Sequence, residues 1–164
     1  MPENSVLFID LDDVLIVPTL YKIKHRRRVK DGRKVHYAFS PAALKSLRQI
    51  TTECPTAALV ISSTWRLEGR REVEMVFRLN GCPELLVRFH DDWATRELRP
   101  DGNRADEISD WLMRHPEITH AAAIDNNESI LGKRWAVLVM PSKGLSDTDA
   151  FAAIKLMKND PGAL

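Results

Sequence analysis

Four short apolar runs, three of them stopped abruptly by polar residues, limit what this chain can fold into. Val6-Leu7-Phe8-Ile9 ends at Asp10, and Ala57-Ala58-Leu59-Val60-Ile61 ends at Ser62-Ser63-Thr64. Ala121-Ala122-Ala123-Ile124 ends at Asp125-Asn126-Asn127, and Ala136-Val137-Leu138-Val139-Met140 ends at Pro141. Apolar runs this short, without polar alternation, read as strands buried on both faces, the pattern of a parallel sheet covered by helices. Leu85-Leu86-Val87-Arg88 is a weaker fifth candidate.

Helical signals fall between the strands. Ser40-Pro41 supplies a cap followed by proline at the first helical position, with Leu44, Leu47 and Ile50 as the apolar stripe to about Thr52. Residues 67 to 79 place Val73, Val76 and Phe77 on one face and stop at Asn80-Gly81. Asn103 can cap a helix with Ile108, Trp111 and Leu112 inward, and Ser146 with Asp149 resembles a capping box. Strands alternating with such helices imply an α/β, Rossmann-like three-layer sandwich: a mostly parallel central sheet with helices on both faces. Right-handed crossovers bring the C-terminal ends of the strands to one edge, so the polar residues that stop them should converge in one crevice.

The chain of 164 residues, 44% hydrophobic, suffices for one core, and a single domain over 1–164 is expected. Cys54 and Cys82 follow no metal or disulfide spacing, which fits a reducing cytoplasm. No stretch approaches the roughly twenty apolar residues of a membrane helix, and acids at 10, 12 and 13 break the N-terminal run. The formal net charge of +1 conceals an asymmetry. Lys22 to His36 holds eight Lys or Arg against Asp31 alone, a local +7 that leaves −6 for the rest. Asp31-Gly32 at its centre is a hairpin signal, so residues 17 to 39 read as a small basic flap leaving the sheet after the first strand and overhanging the crevice.

The residues that carry chemistry begin with Phe8-Ile9-Asp10-Leu11-Asp12-Asp13-Val14-Leu15, a DxD at the end of a buried strand. Two carboxylates so close can hold a divalent cation, or divide acid and base roles if their surroundings separate the pKa values. The segment resembles the first motif of the haloacid-dehalogenase-like hydrolases, hhhhDxDxV/T. The resemblance implies that Asp10 is a nucleophile forming an aspartyl phosphate and that Asp12 is the acid and then the base. It also implies a Mg²⁺ site fed by Asp10 and the Asp12 backbone carbonyl.

The other motifs of that superfamily follow in order. Ile61-Ser62-Ser63-Thr64-Trp65-Arg66 stands where a Ser or Thr holds phosphoryl oxygens; Ser62 is the preferred residue and Ser63 the rival register. Trp65 reads as packing, and Arg66 as either a substrate contact or the partner of a surface acid. Arg104 takes the place of the basic third motif, with Lys133 as a less favoured alternative. Its surroundings, Asn103-Arg104-Ala105-Asp106-Glu107-Ile108-Ser109-Asp110-Trp111-Leu112, resemble the RGxEIxxWL segment of small bacterial and phage members that share SSxWR. Ala105 replaces the glycine. Asp125 is the fourth-motif metal ligand, and Asn126 stands where a second Asp is common, contributing an amide oxygen but no charge.

These residues lead to a Mg²⁺-dependent phosphatase acting on a phosphorylated, polyanionic substrate such as a nucleotide or a nucleic-acid end. A dehalogenase would have no need of Asp12. The competing reading is a non-catalytic or weakly catalytic module that binds nucleic acid through the flap, the altered fourth motif no longer supporting turnover. Arg26, Arg27, Arg28 and Arg33 are the flap residues placed to meet phosphates. Reversing the charges of Arg26, Arg27 and Arg28 is expected to raise KM steeply for polyanionic substrates and little for an aryl phosphate; equal effects in steady-state assays would assign the flap a structural role.

Overall fold

The computed structural model describes residues 4–17 and 38–159. The expected flap, with Arg26, Arg27, Arg28 and Arg33, falls in 18–37 and lies outside the described residues. Five strands form one all-parallel sheet: β1 (Ser5–Ile9), β2 (Ala58–Ile61), β3 (Phe89–Ala94), β4 (His120–Asp125) and β5 (Ala136–Leu138). Their order is β3-β2-β1-β4-β5, which puts β1 at the centre. Among the described residues, three helices lie between successive strands, α1 (Pro41–Glu53), α2 (Arg70–Leu79) and α3 (Arg104–Arg114), and α4 (Asp147–Asn159) follows β5.

Successive residues of β1 point to opposite faces of the sheet, and each face has its own core. Leu7 and Ile9 join Leu59, Ile61, Ala122 and Ile124 under α1, α2 and α4. Val6 and Phe8 join Val60, Ala121 and Ala123 under α3, where Phe8 meets Trp111 edge to face at 5.2 Å. The caps form as the sequence implies. The Ser40 hydroxyl accepts from the Ala43 amide, the Asn103 side chain from the Asp106 amide, and Ser146 and Asp149 cap reciprocally.

Two expectations need correction. Leu85 to Arg88 is not a strand but part of a 3₁₀ turn, Pro83–Arg88, and the neighbouring strand, β3, begins at Phe89. That strand is polar because it lies at the sheet edge and pairs on one side only, with an irregular register between Leu59↔Phe89 and Ile61↔Ala94. The helix expected over 67 to 79 is divided: Thr64–Glu68 is a 3₁₀ turn, and α2 starts only after Gly69, whose φ of +94° breaks the helical path.

Behind Asp10 the chain folds into a compact turn. The amides of Val14, Leu15 and Ile16 all donate to the Leu11 carbonyl, and Asp13 takes φ +63°. This turn is held by the segment before α4, where the Leu145 amide donates to the Val14 carbonyl at 2.9 Å. Gly144, at φ +69°, makes the approach possible, since a Cβ there would lie 2.8 Å from the Val14 oxygen and 2.4 Å from Val17 Cγ1. Gly144→Ala should therefore destabilise the protein by about 2 kcal/mol or more, measured by urea unfolding; a neutral substitution would show that the turn does not depend on this contact.

Candidate active site

Strand register decides which side chains meet. Ile9 is level with Ile61 and Ile124, and Ile61 with Ala94. The next residue along each strand therefore falls into one row at the C-terminal edge: Thr95, Ser62, Asp10 and Asp125. The last rungs of the ladder fix this row. The Asp10 amide donates to the Ile124 carbonyl, Ser62 to Ile9 and Thr95 to Ile61, each at 3.1 Å.

The row is buried, and its charges are in tension. Asp10 is 6% exposed and Asp125 0%. Burial, then the charge of Asp125, pushes the Asp10 carboxyl up to about 7, against the pull of Arg104, the Leu11 amide and the Ser63 hydroxyl. Burial likewise raises Asp125, opposed first by Arg104. Arg104, at the start of α3, brings its Nε to 3.4 Å from Asp125 Oδ2. The Asn127 amide donates to Asp125 Oδ1 at 2.9 Å.

The two serines differ in their bonding. Ser63 Oγ caps the following turn by accepting from the Trp65 amide at 3.2 Å, and it also bonds Asp10. Ser62 Oγ is buried with no partner. Three other buried polar atoms here also lack a hydrogen bond: Thr95 Oγ1, Arg104 Nη1 and Asp125 Oδ2. Such groups are costly to leave unmet, and their clustering around two carboxylates marks a place built for something else to bind.

Asp12 lies on the turn beyond Asp10, where Trp65 Nε1 donates to its Oδ1 at 3.1 Å. Trp65 packs against the core as expected, but its indole N–H also reaches the acidic loop. Asn126 joins this loop too, its Nδ2 donating to Asp13 Oδ2 at 3.3 Å. Burial and the neighbouring Asp12 charge raise the Asp13 carboxyl. Arg66 does not pair with a surface acid. It is buried, donates through Nη1 to the carbonyls of Ser62 (3.1 Å) and Ser63 (2.9 Å), and pairs through Nη2 with Glu107 at 2.9 Å. Lys133 lines a hollow with Pro116 and Thr119, which precede β4, so it belongs to the opposite end of the sheet from Asp10.

The donor set fits Mg²⁺. Asp10 and Asp125 offer hard carboxylate oxygens whose charges repel in a buried site, and Asp125 Oδ2 accepts no hydrogen bond. His90, His115 and Glu117 also approach one another, but the His90 Nδ1 lone pair is used by the Asp92 amide, and these residues come from the start of β3 and the end of α3, away from the row.

The family model for the HAD domain in Swiss Army Knife RNA repair proteins matches residues 6–150. The chain belongs to this family. The matched span holds all of the row, Arg104 and the Asp12 turn. No curated protein and no solved structure matches the chain. Within this HAD domain, sequence reasoning missed Thr95, which no apolar run precedes, and gave no role to Glu107, although it stands at the acid of the RGxEIxxWL pattern. Its burial, at 3% exposure, sets it apart from the other acids of the helix.

The raised carboxyl has a consequence for stability. Because the folded-state pKa of Asp10 lies near 7 rather than 3.8, the metal-free fold loses stability as pH rises through this interval. In the presence of chelator, Asp10→Asn should be more stable than wild type at pH 8, by roughly 2–4 kcal/mol, with the gain vanishing near pH 4. Calorimetry across pH checks this, and a gain independent of pH would refute the assigned cause.

Proposed function

We propose that this HAD domain is a Mg²⁺-dependent phosphohydrolase that removes a terminal phosphate from RNA through an aspartyl phosphate on Asp10. The observation that carries the reading is the row itself: a buried carboxylate surrounded by four polar atoms without hydrogen-bond partners, two hydroxyls, one guanidinium nitrogen and one carboxylate oxygen. Hydroxyl and guanidinium donors suit phosphoryl oxygens, and a paired carboxylate suits a cation. The RNA substrate follows from the repair proteins that the family describes and from the basic segment between Lys22 and His36.

In this mechanism an Asp10 carboxylate oxygen attacks phosphorus as the ester P–O bond breaks, and Asp12 gives its proton to the departing oxygen. Asp12, now a carboxylate, takes a proton from water, whose oxygen attacks the aspartyl phosphate; inorganic phosphate leaves and Asp10 is restored. Arg104 and the Ser62 hydroxyl hold the phosphoryl oxygens, Ser63 orients Asp10, and the Trp65 indole steadies one oxygen of Asp12, leaving the other to carry the proton. Asp10, the Asp12 carbonyl, Asp125 and Asn126 would hold Mg²⁺, which offsets the paired carboxylate charges and lets an anionic ester approach.

Phosphate release should be measured from an aryl phosphate, from nucleotides and from 5′- and 3′-phosphorylated RNA oligonucleotides, with Mg²⁺ and with chelator. Metal-dependent turnover is expected, with kcat/KM at least about tenfold higher on a phosphorylated RNA end than on the aryl ester. Asp10→Asn should reduce it by about 10³-fold or more. No metal-dependent release from any of these substrates would leave the domain a binding module.

A further inference from the structure

The phosphate-facing groups rest on a buried ion pair that touches none of the reacting atoms. Arg66, in the turn after β2, and Glu107, in the first turn of α3, are 5% and 3% exposed and meet at 2.9 Å. Arg66 uses its other terminal nitrogen to bind the carbonyls of both Ser62 and Ser63. Glu107 in turn reaches towards Arg104, its Oε2 at 4.0 Å from Arg104 Nε, while that Nε faces Asp125 at 3.4 Å. Gly102 leaves room for this carboxylate, since a Cβ there would come within 3.1 Å of Glu107 Oε1.

We infer that Arg66 and Glu107 are positioning residues that build the phosphate cradle: the pair draws the Ser62 and Ser63 carbonyls inward, and Glu107 shares the Arg104 Nε with Asp125, so that Nη1 stays free for a phosphoryl oxygen. The inference rests on the phosphatase reading but concerns the cradle, which any phosphate would occupy. Two buried guanidiniums face three buried carboxylates: Asp10, Asp125 and Glu107. Without Glu107, Arg104 has only the aspartates to pair with and is drawn fully onto them, closing the position that phosphate needs. Without the Arg66 guanidinium, the Ser62 carbonyl loses its side-chain donor and the Ser63 carbonyl keeps only the main-chain amide of residue 66, at 3.1 Å, so the Ser62 hydroxyl loses its fixed aim. A lysine at position 66 keeps the charge but cannot bridge two carbonyls and a carboxylate as a planar fork does.

Three variants of the full chain separate positioning from stability: Glu107→Gln, Arg66→Lys, and Arg66→Met combined with Glu107→Leu. Breaking a buried pair from one side is strongly destabilising, whereas replacing both partners with apolar groups often is not. Glu107→Gln should therefore lower Tm by about 10 °C, and the double variant should recover most of that loss. Affinity for inorganic phosphate, measured by calorimetry with Mg²⁺ present, should fall about 10–100-fold in all three, and kcat/KM on the aryl phosphate with it. A double variant that binds phosphate as wild type does would overturn the inference, because the pair would then be structural only. Full rescue of phosphate binding by Arg66→Lys would overturn it too, as would a wild type with no affinity for phosphate. A wild type that binds phosphate but hydrolyses no ester would sink the enzymatic reading alone and leave the cradle to be judged by the variants.

Discussion

Two carboxylates forced together at the buried edge of a parallel sheet are the constraint around which the rest of this structure is arranged. Asp10 and Asp125 extend from neighbouring strands whose register leaves them level, and burial raises the pKa of both. Such a pair is destabilising by itself. The surrounding groups answer it: Arg104 from α3, the amides of Leu11 and Asn127, and the Ser63 hydroxyl. The remaining imbalance is what the proposed cation would offset.

The fold can carry this strain because the site and the core use different parts of the same elements. Along α3, Ile108 and Trp111 pack beneath β1 and β4, while Arg104 and Glu107 occupy the first turn at the sheet edge. Placing Glu107 in that turn also sets a carboxylate against the positive end of the helix dipole. On the opposite face α1, α2 and α4 cover Leu7 and Ile9. The chemistry is thus confined to strand ends and one helix start, where losing apolar packing costs the core little.

Much of this could be read along the chain. The four apolar runs became strands, and the polar stops of three of them, Asp10, Ser62 and Asp125, entered the row, because a strand buried on both faces has no polar position until it leaves the sheet. Caps at Ser40, Asn103 and Ser146 were equally plain, being local hydrogen bonds set by residue type. The two errors have separate causes. An edge strand such as Phe89–Ala94 is stabilised from one side, so its sequence need not look apolar, and the more hydrophobic Leu85 to Val87 drew attention away from it. Gly69 could break a helix only because its φ is positive, which composition does not show.

By itself the sequence determined that an α/β sheet would gather Asp10, Ser62 and Asp125 at one edge, since strand direction follows from the alternation with helices. Tertiary structure decided what those residues experience. Register set Thr95 beside Ser62, burial raised the Asp10 carboxyl, and the packing of α3 against the turn after β2 joined Arg66 to Glu107. These are properties of distance and exclusion from water between residues far apart in the chain, so no local pattern of residue types encodes them.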